Sequence, residues 1–369
     1  MTNSSEIGFD AAEFAAADFA AAGFAANLVS WYRRHARPLP WRESNDPYAI
    51  WVSEVMLQQT RVETVIPYYR RFLALFPTID ALAAAPEEKV LKAWEGLGYY
   101  RRARLLQRGA QEVQARFGGR LPAEPQLLRS LPGVGAYMAG SLASIAFNLP
   151  VPAVDGNVSR VAARVLAWEK DTGTAESRRM IEHWAQKLYA GHQAGELTQA
   201  LMELGALICL PANPDCPQCP VRLYCLAAQV PGGNGPERFP LRKKSRENPV
   251  EYRIALQITR NGRQLYLQRK AGGLMAGFWE YPSLVMQSGA DPQRLAGDWC
   301  QQQLGARLAV RFLRSATHVF THLTWNLDIY EAAWQLAEPP YPLGNGKWFS
   351  REEADKLPRV AYVREMESE

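Results

Sequence analysis

Leu131-Pro132-Gly133-Val134-Gly135 is a glycine-rich stretch that separates a polar segment ending at Ser130 from a run of small and apolar residues, Ala136 to Phe147. Glycine allows positive φ and close backbone approach, so the stretch predicts a tight hairpin that opens onto a buried helix. Backbone N–H groups at a helix start lie at the positive end of its dipole, where a phosphate binds favourably. The five residues leave two interpretations open, an ordinary helix-turn-helix corner and a phosphate site.

A carboxylate, Asp155, follows this hairpin. Val151-Pro152-Ala153-Val154 leads into it, and a helix is predicted from Asn157 to Trp168. A carboxylate beside a helix start can be held ionised by the dipole and by backbone donors. The hairpin followed by an aspartate resembles the helix-hairpin-helix superfamily of DNA glycosylases. That resemblance implies that Gly133 and Gly135 belong to a loop that binds a DNA phosphate.

Length and composition are those of a globular protein with two domains. The chain has 369 residues, of which 47% are hydrophobic and 21% charged, and a net charge of +5. This mildly basic charge is compatible with nucleic acid binding and does not by itself indicate it. No run reaches the roughly 18 apolar residues of a membrane span, and the N-terminus lacks the basic region of a secretory signal. Residues 1–25 are alanine-rich, with phenylalanine at every fifth position from Phe9, and are predicted to be a disordered tail.

A second carboxylate, Glu54, lies within a helix predicted from Tyr48 to Thr60, which ends before Pro67. Asp46-Pro47 is its start signal, with aspartate as the N-cap and proline in the first turn. Its neighbours one turn away include Ile50, Trp51 and Leu57. A carboxyl group among apolar residues loses hydration, so its pKa should rise and it could donate a proton near neutral pH. The alternative is a surface glutamate without a chemical role.

Trp94-Glu95-Gly96-Leu97-Gly98-Tyr99-Tyr100-Arg101-Arg102 combines glycines, tyrosines and arginines. Such a loop suits DNA, with aromatic wedges and phosphate contacts. A core turn with a solvated basic face is the alternative.

Four of the five cysteines, Cys209, Cys216, Cys219 and Cys225, form the pattern C-x6-C-x2-C-x5-C. Four thiolates so close together can surround one metal centre, and the general spacing rules allow zinc as well as a [4Fe–4S] cluster. Residues 230–248 are a linker by composition, and they end in a basic patch formed by Arg242, Lys243, Lys244 and Arg246.

The C-terminal part predicts an α+β domain. Strands are predicted from Tyr252 to Ile258 and from Gln264 to Gln268 around an Asn261-Gly262 turn, and a helix from Gln293 to Leu304. Thr317 to Tyr330 alternates like one strand, which would carry His318 and His322 on one face. The alternative for those two histidines is an ordinary half-buried pair, and a metal site is discounted because no further carboxylate or thiol partners lie nearby in sequence.

Taken together, these motifs resemble the MutY-type adenine DNA glycosylases over about Leu28 to Tyr362. The motifs are Ser53 to Thr60, Gly96 to Tyr100, Leu131 to Gly135, Val154 to Asn157, the four cysteines, and Gly272 to Pro282. The resemblance implies a multidomain protein: an all-α helix-hairpin-helix glycosylase domain with an iron–sulfur cluster loop, and an α+β Nudix-like C-terminal domain. The resemblance implies a catalytic domain at residues 26–229 and a domain that recognises 8-oxoguanine at residues 249–369. The linker at residues 230–248 joins them.

The family removes adenine opposite 8-oxoguanine or guanine by hydrolysing the N-glycosidic bond. In the related endonuclease III enzymes, a lysine that forms a Schiff base stands where this chain has Tyr137, and a tyrosine cannot form an imine. A monofunctional glycosylase is therefore expected. The alternatives are an endonuclease III-like pyrimidine-lesion glycosylase/lyase and a non-catalytic iron–sulfur DNA-binding protein.

The resemblance also implies roles for individual residues. Glu54 would protonate adenine, Asp155 would stabilise the cation, and Tyr137 and Asn157 would organise the site. Further positions match the adenine pocket: Trp41, Arg42, Val62, Gln199 and Met202. Others match contacts to DNA or 8-oxoguanine: Leu57, Gln59, Thr60, Leu97, Tyr99, Phe320, Thr321 and His322. The four cysteines would hold a [4Fe–4S] cluster. The Nudix-like helix from Gln293 lacks the glutamates that bind magnesium, so this domain would bind without hydrolysing.

The implied partner is double-stranded DNA with an A:8-oxoguanine or A:G mispair, bound by a monomer. No membrane is involved, and we expect a cytoplasmic bacterial protein that acts at the nucleoid.

Overall fold

A computed structural model describes residues 11–230, 235–241, 248–270, 272–287, 289–320, 322–334 and 345–367; within 11–20 and 365–367 only the backbone is described. These residues divide into two compact units. The helical unit is drawn from residues 1–84 and 105–244, and the sheet unit from residues 85–104 and 245–369. No helix among the described residues is long and apolar enough to cross a membrane.

The described helices are α1 (Ala11–His35), α2 (Pro47–Leu57), α3 (Val62–Leu75), α4 (Ile79–Ala84), α5 (Glu87–Trp94), α6 (Arg101–Phe117), α7 (Pro125–Arg129), α8 (Ala136–Ser141), α9 (Gly156–Val165), α10 (Ala175–Leu188), α11 (Ala194–Leu207), α12 (Leu226–Gln229), α13 (Pro292–Leu304), α14 (Arg351–Asp355) and α15 (Ala361–Glu367). The sheet unit contains α5, the first turn of α6, and α13 to α15. The other helices form the helical unit.

Helix α1 corrects the prediction of a disordered tail. The helix runs from Ala11 to His35, and the side chains of Phe24 and Leu28 are buried in a core shared with α9, α10 and α11. The ring of Phe24 packs edge-on against Trp184, with 5.6 Å between centroids. Phenylalanines at every fifth position do not form one apolar face of a helix. The burial of Phe24 therefore depends on packing against distant helices, which the local sequence pattern does not reveal. Residues 1–10 lie outside the described part of the chain.

The predicted helix around Glu54 ends earlier than expected. Helix α2 stops at Leu57, and Pro67 lies inside α3 rather than marking a break. Its start is as predicted, since Asp46 accepts a hydrogen bond from the backbone N–H of Tyr48. Gln59, between the two helices, has a φ of 57°, which lies in the left-handed region that non-glycine residues seldom adopt.

The hairpin at Leu131 to Gly135 connects α7 to α8. Gly133 has a φ of 80°, and a Cβ there would lie 2.8 Å from Cβ of Leu105, so both conformation and space require glycine. Gly135 differs from the expectation, because its φ is −84° and open space surrounds the position of a Cβ. Helix α8 continues as a π-helical turn, Leu142–Ala146, within the helix predicted to Phe147.

The sheet unit is built on a mixed sheet. Its strands are β1 (Val250–Arg260), β2 (Arg263–Gln268), β3 (Trp279–Glu280), β4 (Ser283–Val285), β5 (Arg311–Val319), β6 (Thr324–Ala333) and β7 (Gly346–Phe349). The order is β3-β2-β1-β6-β5, with β1 and β6 parallel, β4 paired with β1 and β7 with β2. Asn261 and Gly262 form the predicted turn, with φ values of 47° and 73°. Helix α13 packs on β1, capped by Asp291 and by the left-handed Gly305.

The prediction of a single strand from Thr317 to Tyr330 is wrong. Strands β5 and β6 are antiparallel partners, with Val319 opposite Thr324, and the chain reverses between them. His318 therefore lies on β5, whereas His322 lies in the connection, so the two do not share a strand face. Thr321 lies outside the described residues. The prediction failed because the alternation of apolar and polar residues continues across the turn, and no glycine or proline marks the reversal.

Part of the predicted linker is packed against the helical unit. Pro236–Arg238 forms a 3-10 turn, and Phe239 is buried against Ala163 and Ala227. The guanidinium of Arg164 donates hydrogen bonds to the carbonyls of Pro236 and Phe239. The basic patch predicted at Arg242 to Arg246 lies outside the described residues.

Candidate active site

Glu54 and Asp155 line one cavity of about 240 Å³ in the helical unit. Glu54 is carried by α2, and Asp155 is the N-cap of α9. The same cavity brings together the other residues that the sequence associated with adenine and catalysis: Trp41, Arg42, Val62, Tyr137, Asn157, Gln199 and Met202. Leu57 and Thr60, which the sequence associated with DNA or 8-oxoguanine, line it as well. Residues from widely separated parts of the sequence therefore converge on the two carboxyl groups.

The partners of Glu54 are hydroxyl groups. Tyr137 Oη and Ser141 Oγ each lie 2.7 Å from Glu54 Oε2. The side chain is only 5% exposed. Burial raises the pKa of Glu54 above its ordinary value, and the nearby charge of Asp155 acts in the same direction, while the two hydroxyls and Arg42 oppose it. Glu54 is thus a buried carboxyl group, and the alternative of a surface glutamate is wrong.

The partners of Asp155 are N–H groups. Its Oδ1 accepts a hydrogen bond of 2.7 Å from the backbone N of Val158, and its Oδ2 accepts one of 3.0 Å from Asn157 Nδ2. Burial raises the pKa of Asp155, whereas these donors and the charge of Arg160 lower it. The expectation that the helix dipole and backbone donors would keep this carboxylate ionised is therefore incomplete, because desolvation is the largest influence and raises the pKa of Asp155 above its ordinary value.

Asn157 is itself held by Arg160, which lies one turn further along α9. Arg160 Nη2 donates to Asn157 Oδ1 at 2.9 Å and to the carbonyl of Gly205 at 2.8 Å. Its Nε donates to the carbonyl of Cys209 at 2.8 Å. The side chain that supports Asp155 is thereby connected to the start of the cysteine loop.

A broader groove of about 810 Å³ runs beside the cavity and shares Leu57, Tyr137, Asp155 and Asn157 with it. Gln59, with its left-handed backbone, lines this groove, as do Arg160 and Arg178. Gly133 and Gly135 are not among the residues that line either space.

The four cysteines of the loop line one small cavity of about 30 Å³, together with Arg164 and Arg222. Arg164 Nη1 lies 3.3 Å from Cys209 Sγ, and the same side chain donates to the carbonyls of Leu210 and Pro211. Among the described residues, no three histidine, cysteine or acidic side chains converge as they would around a single metal ion. Cys300 is buried in the sheet unit, far along the sequence from this loop.

Two family profiles match the chain. Residues 52–187 match the HhH-GPD superfamily of base excision DNA repair proteins, and residues 253–366 match the NUDIX domain. The adenine DNA glycosylase of Mus musculus is 36% identical over 383 residues, an alignment that covers 89% of this chain and 74% of the relative. The chain belongs to the adenine DNA glycosylase family. The family assignment confirms the resemblance drawn from the motifs.

Other relatives of this adenine DNA glycosylase family member agree. The Homo sapiens adenine DNA glycosylase is 36% identical, with 89% of this chain and 70% of the relative covered. Among solved structures, a thermostable thymine-DNA glycosylase is similar with a TM-score of 0.54 and 25% identity, over 58% of this chain and 99% of that one. The fold class predicted from the sequence, a helix-hairpin-helix domain with a Nudix-like domain, is confirmed.

Sequence reasoning missed Glu203, which lines the cavity of this family member, and Ser141, which donates a hydrogen bond to Glu54. Glu203 is 1% exposed and accepts hydrogen bonds from both Arg37 and Arg42. Burial alone would raise the pKa of Glu203, but the two guanidinium groups lower it to about 2. Spacing contained a signal for each omission. Glu203 lies four residues after Gln199, and Ser141 four residues after Tyr137, so each shares a helix face with a residue already selected.

The sheet unit contains a cleft of about 860 Å³ lined by Tyr99, Phe320 and His322, with His318 and the loop from Gly273 to Ala276. Leu97 is 5% exposed and does not line this cleft. The ring of Phe320 packs edge-on between those of His318 and Trp325, at centroid distances of 4.5 and 4.8 Å. Residues that the sequence associated with 8-oxoguanine are thus found in two groups, Tyr99, Phe320 and His322 here and Leu57, Gln59 and Thr60 in the helical unit.

Proposed function

We propose that this protein removes adenine from DNA where adenine lies opposite 8-oxoguanine or guanine, by hydrolysing the N-glycosidic bond and leaving the strand intact. One observation carries the proposal. Two carboxyl groups, those of the buried Glu54 and the half-buried Asp155, line one cavity and have hydrogen-bond partners of different kinds. Sites that break glycosidic bonds use such a pair for different tasks.

The partner types assign the two tasks. A hydroxyl can donate to a carboxylate or accept from a carboxylic acid, so Tyr137 and Ser141 tolerate Glu54 in its neutral form. The described partners of Asp155 are N–H groups, which can only donate and therefore favour its ionised form. Glu54 is accordingly the acid, and Asp155 is the carboxylate. Because both hydroxyls bond to Oε2 of Glu54, we assign the acidic proton to Oε1.

The reaction follows from these roles. The target adenine leaves the base stack to enter the cavity. Glu54 transfers its proton to N7, so the bond between C1′ and N9 breaks with its electron pair going to the base. Asp155 stabilises the cation that develops on the sugar. Water then adds to C1′ and gives its proton to the carboxylate left on Glu54, which restores the acid. Asn157 and Arg160 keep Asp155 oriented through the bonds described above.

Tyr137 supports hydrolysis without strand cleavage. The hydroxyl of Tyr137 is engaged with Glu54, and a tyrosine has no amine with which to form an imine to the sugar. The lyase alternative needs such an amine. A non-catalytic DNA-binding protein has no need of two carboxyl groups in one cavity or of a glutamate with a raised pKa.

The test is an assay on duplexes that carry adenine opposite 8-oxoguanine, guanine or cytosine, with and without alkali. We expect adenine release from the first two, with strand breaks appearing only after alkali. Efficient borohydride trapping of a protein–DNA adduct would favour the lyase alternative instead. Glu54→Gln should bind the A:8-oxoguanine duplex and react at least about 10²-fold more slowly, since general acid catalysis is typically worth that much.

We also propose that Cys209, Cys216, Cys219 and Cys225 hold a [4Fe–4S] cluster. The residues fit the group, because the four cysteines line one cavity and Arg164 donates toward Cys209 Sγ, as suits an anionic sulfur. When bound, the cluster supplies a covalent cross-link among the thiolates of the loop. Protein purified without oxygen should contain about four irons and four sulfides per chain. Stoichiometric zinc without iron would contradict this assignment.

The sheet unit is proposed to recognise 8-oxoguanine without hydrolysing nucleotides. Tyr99, Phe320 and His322 offer rings and a hydrogen-bonding group to one cleft. Helix α13 carries one acidic residue, Asp298, which pairs with Arg294 and Arg307 rather than forming a carboxylate cluster for magnesium. The partner is duplex DNA with the mispair, bound by a single copy of the protein.

A further inference from the structure

The loop that presents Tyr99 has an unusual backbone. Gly96 and Gly98 have φ values of 103° and 73°, and Tyr99 itself has a φ of 49°. A left-handed tyrosine is strained and persists only where its surroundings hold it. Tyr99 is nevertheless 41% exposed and lines the cleft that also contains Phe320 and His322. An exposed ring on a strained backbone needs support from behind.

Arg102 provides that support. Its Nη2 donates to the carbonyls of Leu97 and Gly98, at 3.3 and 3.1 Å. Its guanidinium carbon lies 5.3 Å from the ring centroid of Tyr99 and 5.5 Å from that of Trp94. The indole Nε1 of Trp94 donates to the same carbonyl of Gly98, at 3.2 Å. The side chain of Arg102 therefore contacts both the backbone that precedes Tyr99 and the ring of Tyr99.

The position of Arg102 is costly for a cation. The residue is 8% exposed, and burial lowers its pKa to about 10. Arg108, less than two turns further along α6, is by contrast exposed. A planar guanidinium can donate along its edge while its face lies over an aromatic ring, whereas the ammonium of a lysine is a point charge. The contacts at Arg102 use both properties.

We propose that Arg102 is a positioning residue that holds Tyr99 in the orientation in which its ring discriminates 8-oxoguanine from guanine. The inference rests on the proposed function, because it assumes that the cleft of Tyr99 reads the base opposite adenine. Arg102 acts through Tyr99 and does not touch the DNA base. Its loss should change the choice of substrate and leave the chemical step unaltered.

The experiment measures single-turnover rates on A:8-oxoguanine and A:G duplexes with the full-length protein. The ratio of the two rates is independent of the active fraction, so a partly misfolded variant lowers both rates and leaves the ratio unchanged. Arg102→Lys should lower the ratio about tenfold, the value of one hydrogen bond from a charged donor. Arg108→Lys is the matched control on the same helix and should leave the ratio unchanged.

A double-variant cycle with Tyr99→Ala separates the outcomes. If Arg102 acts through Tyr99, adding Arg102→Lys to Tyr99→Ala should not lower the ratio further. Additive effects would overturn the positioning role, as would a wild-type ratio in Arg102→Lys when Tyr99→Ala reduces it. A wild-type protein that does not distinguish the two duplexes would instead refute the proposed reading of 8-oxoguanine.

Discussion

Glu54 is a carboxyl group in a buried site, so its ionisation affects stability as well as catalysis. Its pKa is raised in the folded protein, whereas it returns to the ordinary value near 4.5 on unfolding. The folded state therefore holds the proton more tightly, and the stability contributed by the neutral group is lost as pH rises through the folded pKa. The raised pKa of Glu54 thus lowers the stability of the folded protein at alkaline pH.

Glu54→Gln should remove this dependence. The variant keeps the shape of the neutral acid but does not ionise, so we expect it to be more stable than the wild type at pH 8 and about equally stable below pH 4.5. The check is denaturant unfolding of both proteins across this range. Stability curves that stay parallel at every pH would mean that Glu54 is not the group whose pKa is raised.

Ser141 affects the pKa of Glu54. Its hydrogen bond to Glu54 lowers the pKa of that carboxyl, so Ser141→Ala should raise the pKa. The alkaline limb of the single-turnover rate should then move to higher pH, because the bond that favours the charged form is lost. Ser144→Ala is the matched control, because Ser144 is equally buried and bonds to Gly140 and Thr198 instead. A limb that stays in place, or moves down, would contradict the role of Ser141.

At the scale of elements, a glycine sets how closely the two halves of the site approach. A Cβ on Gly140 would lie 2.1 Å from the carbonyl oxygen of Pro152, which real contacts do not reach. Helix α8, which carries Tyr137 and Ser141, therefore packs directly on the segment that leads to Asp155. The relation between the two carboxyl groups depends on this backbone contact.

Gly140→Ala should separate these segments. Because the obstacle is backbone rather than a flexible side chain, we expect a loss of roughly 1–3 kcal/mol in stability, as for other overpacked cores, and a slower chemical step. Thermal unfolding and single-turnover rates measure the two effects. Gly156→Ala is the control for unfolding, since open space surrounds a Cβ there. Wild-type stability and rate in Gly140→Ala would show that the contact is dispensable.

The elements also mark the limit of sequence reasoning. Hydrophobic patterns and start signals identified α2, α9, α13 and the hairpin at Asn261, because each depends on residues close together in sequence. They failed at Phe24, whose burial depends on distant helices, and at the reversal after Val319, where no turn residue interrupts the alternation. The motifs identified Glu54, Asp155 and the adenine positions of the cavity. Glu203 and Ser141 were recognised only in the packed structure, although each shares a helix face with a residue that the motifs had selected.

At the scale of the whole molecule, the sheet unit includes residues 85–104, which come from the middle of the sequence. Trp279 donates to Glu88, the backbone N of Arg359 donates to Glu95, and Arg104 donates to the carbonyl of Ala276. Deleting the chain from Pro249 would remove these partners of the segment that presents Tyr99. A deletion would therefore confuse loss of recognition by Phe320 and His322 with loss of support for Tyr99.

Point variants of the full chain avoid this difficulty. Phe320→Ala and His322→Ala each remove a side chain that lines the cleft and leave residues 85–104 with their partners. We expect each to slow adenine removal opposite 8-oxoguanine and to leave the reaction opposite guanine unchanged, because Glu54 and Asp155, the proposed catalytic groups, lie in the other unit. Phe312→Ala, which removes an exposed ring on β5 outside the cleft, is the control. The measurement is the single-turnover rate of each variant on the two duplexes. An equal decrease in both rates would mean that the cleft contributes to general DNA binding. Unchanged rates on both duplexes would mean that the cleft has no part in recognising 8-oxoguanine.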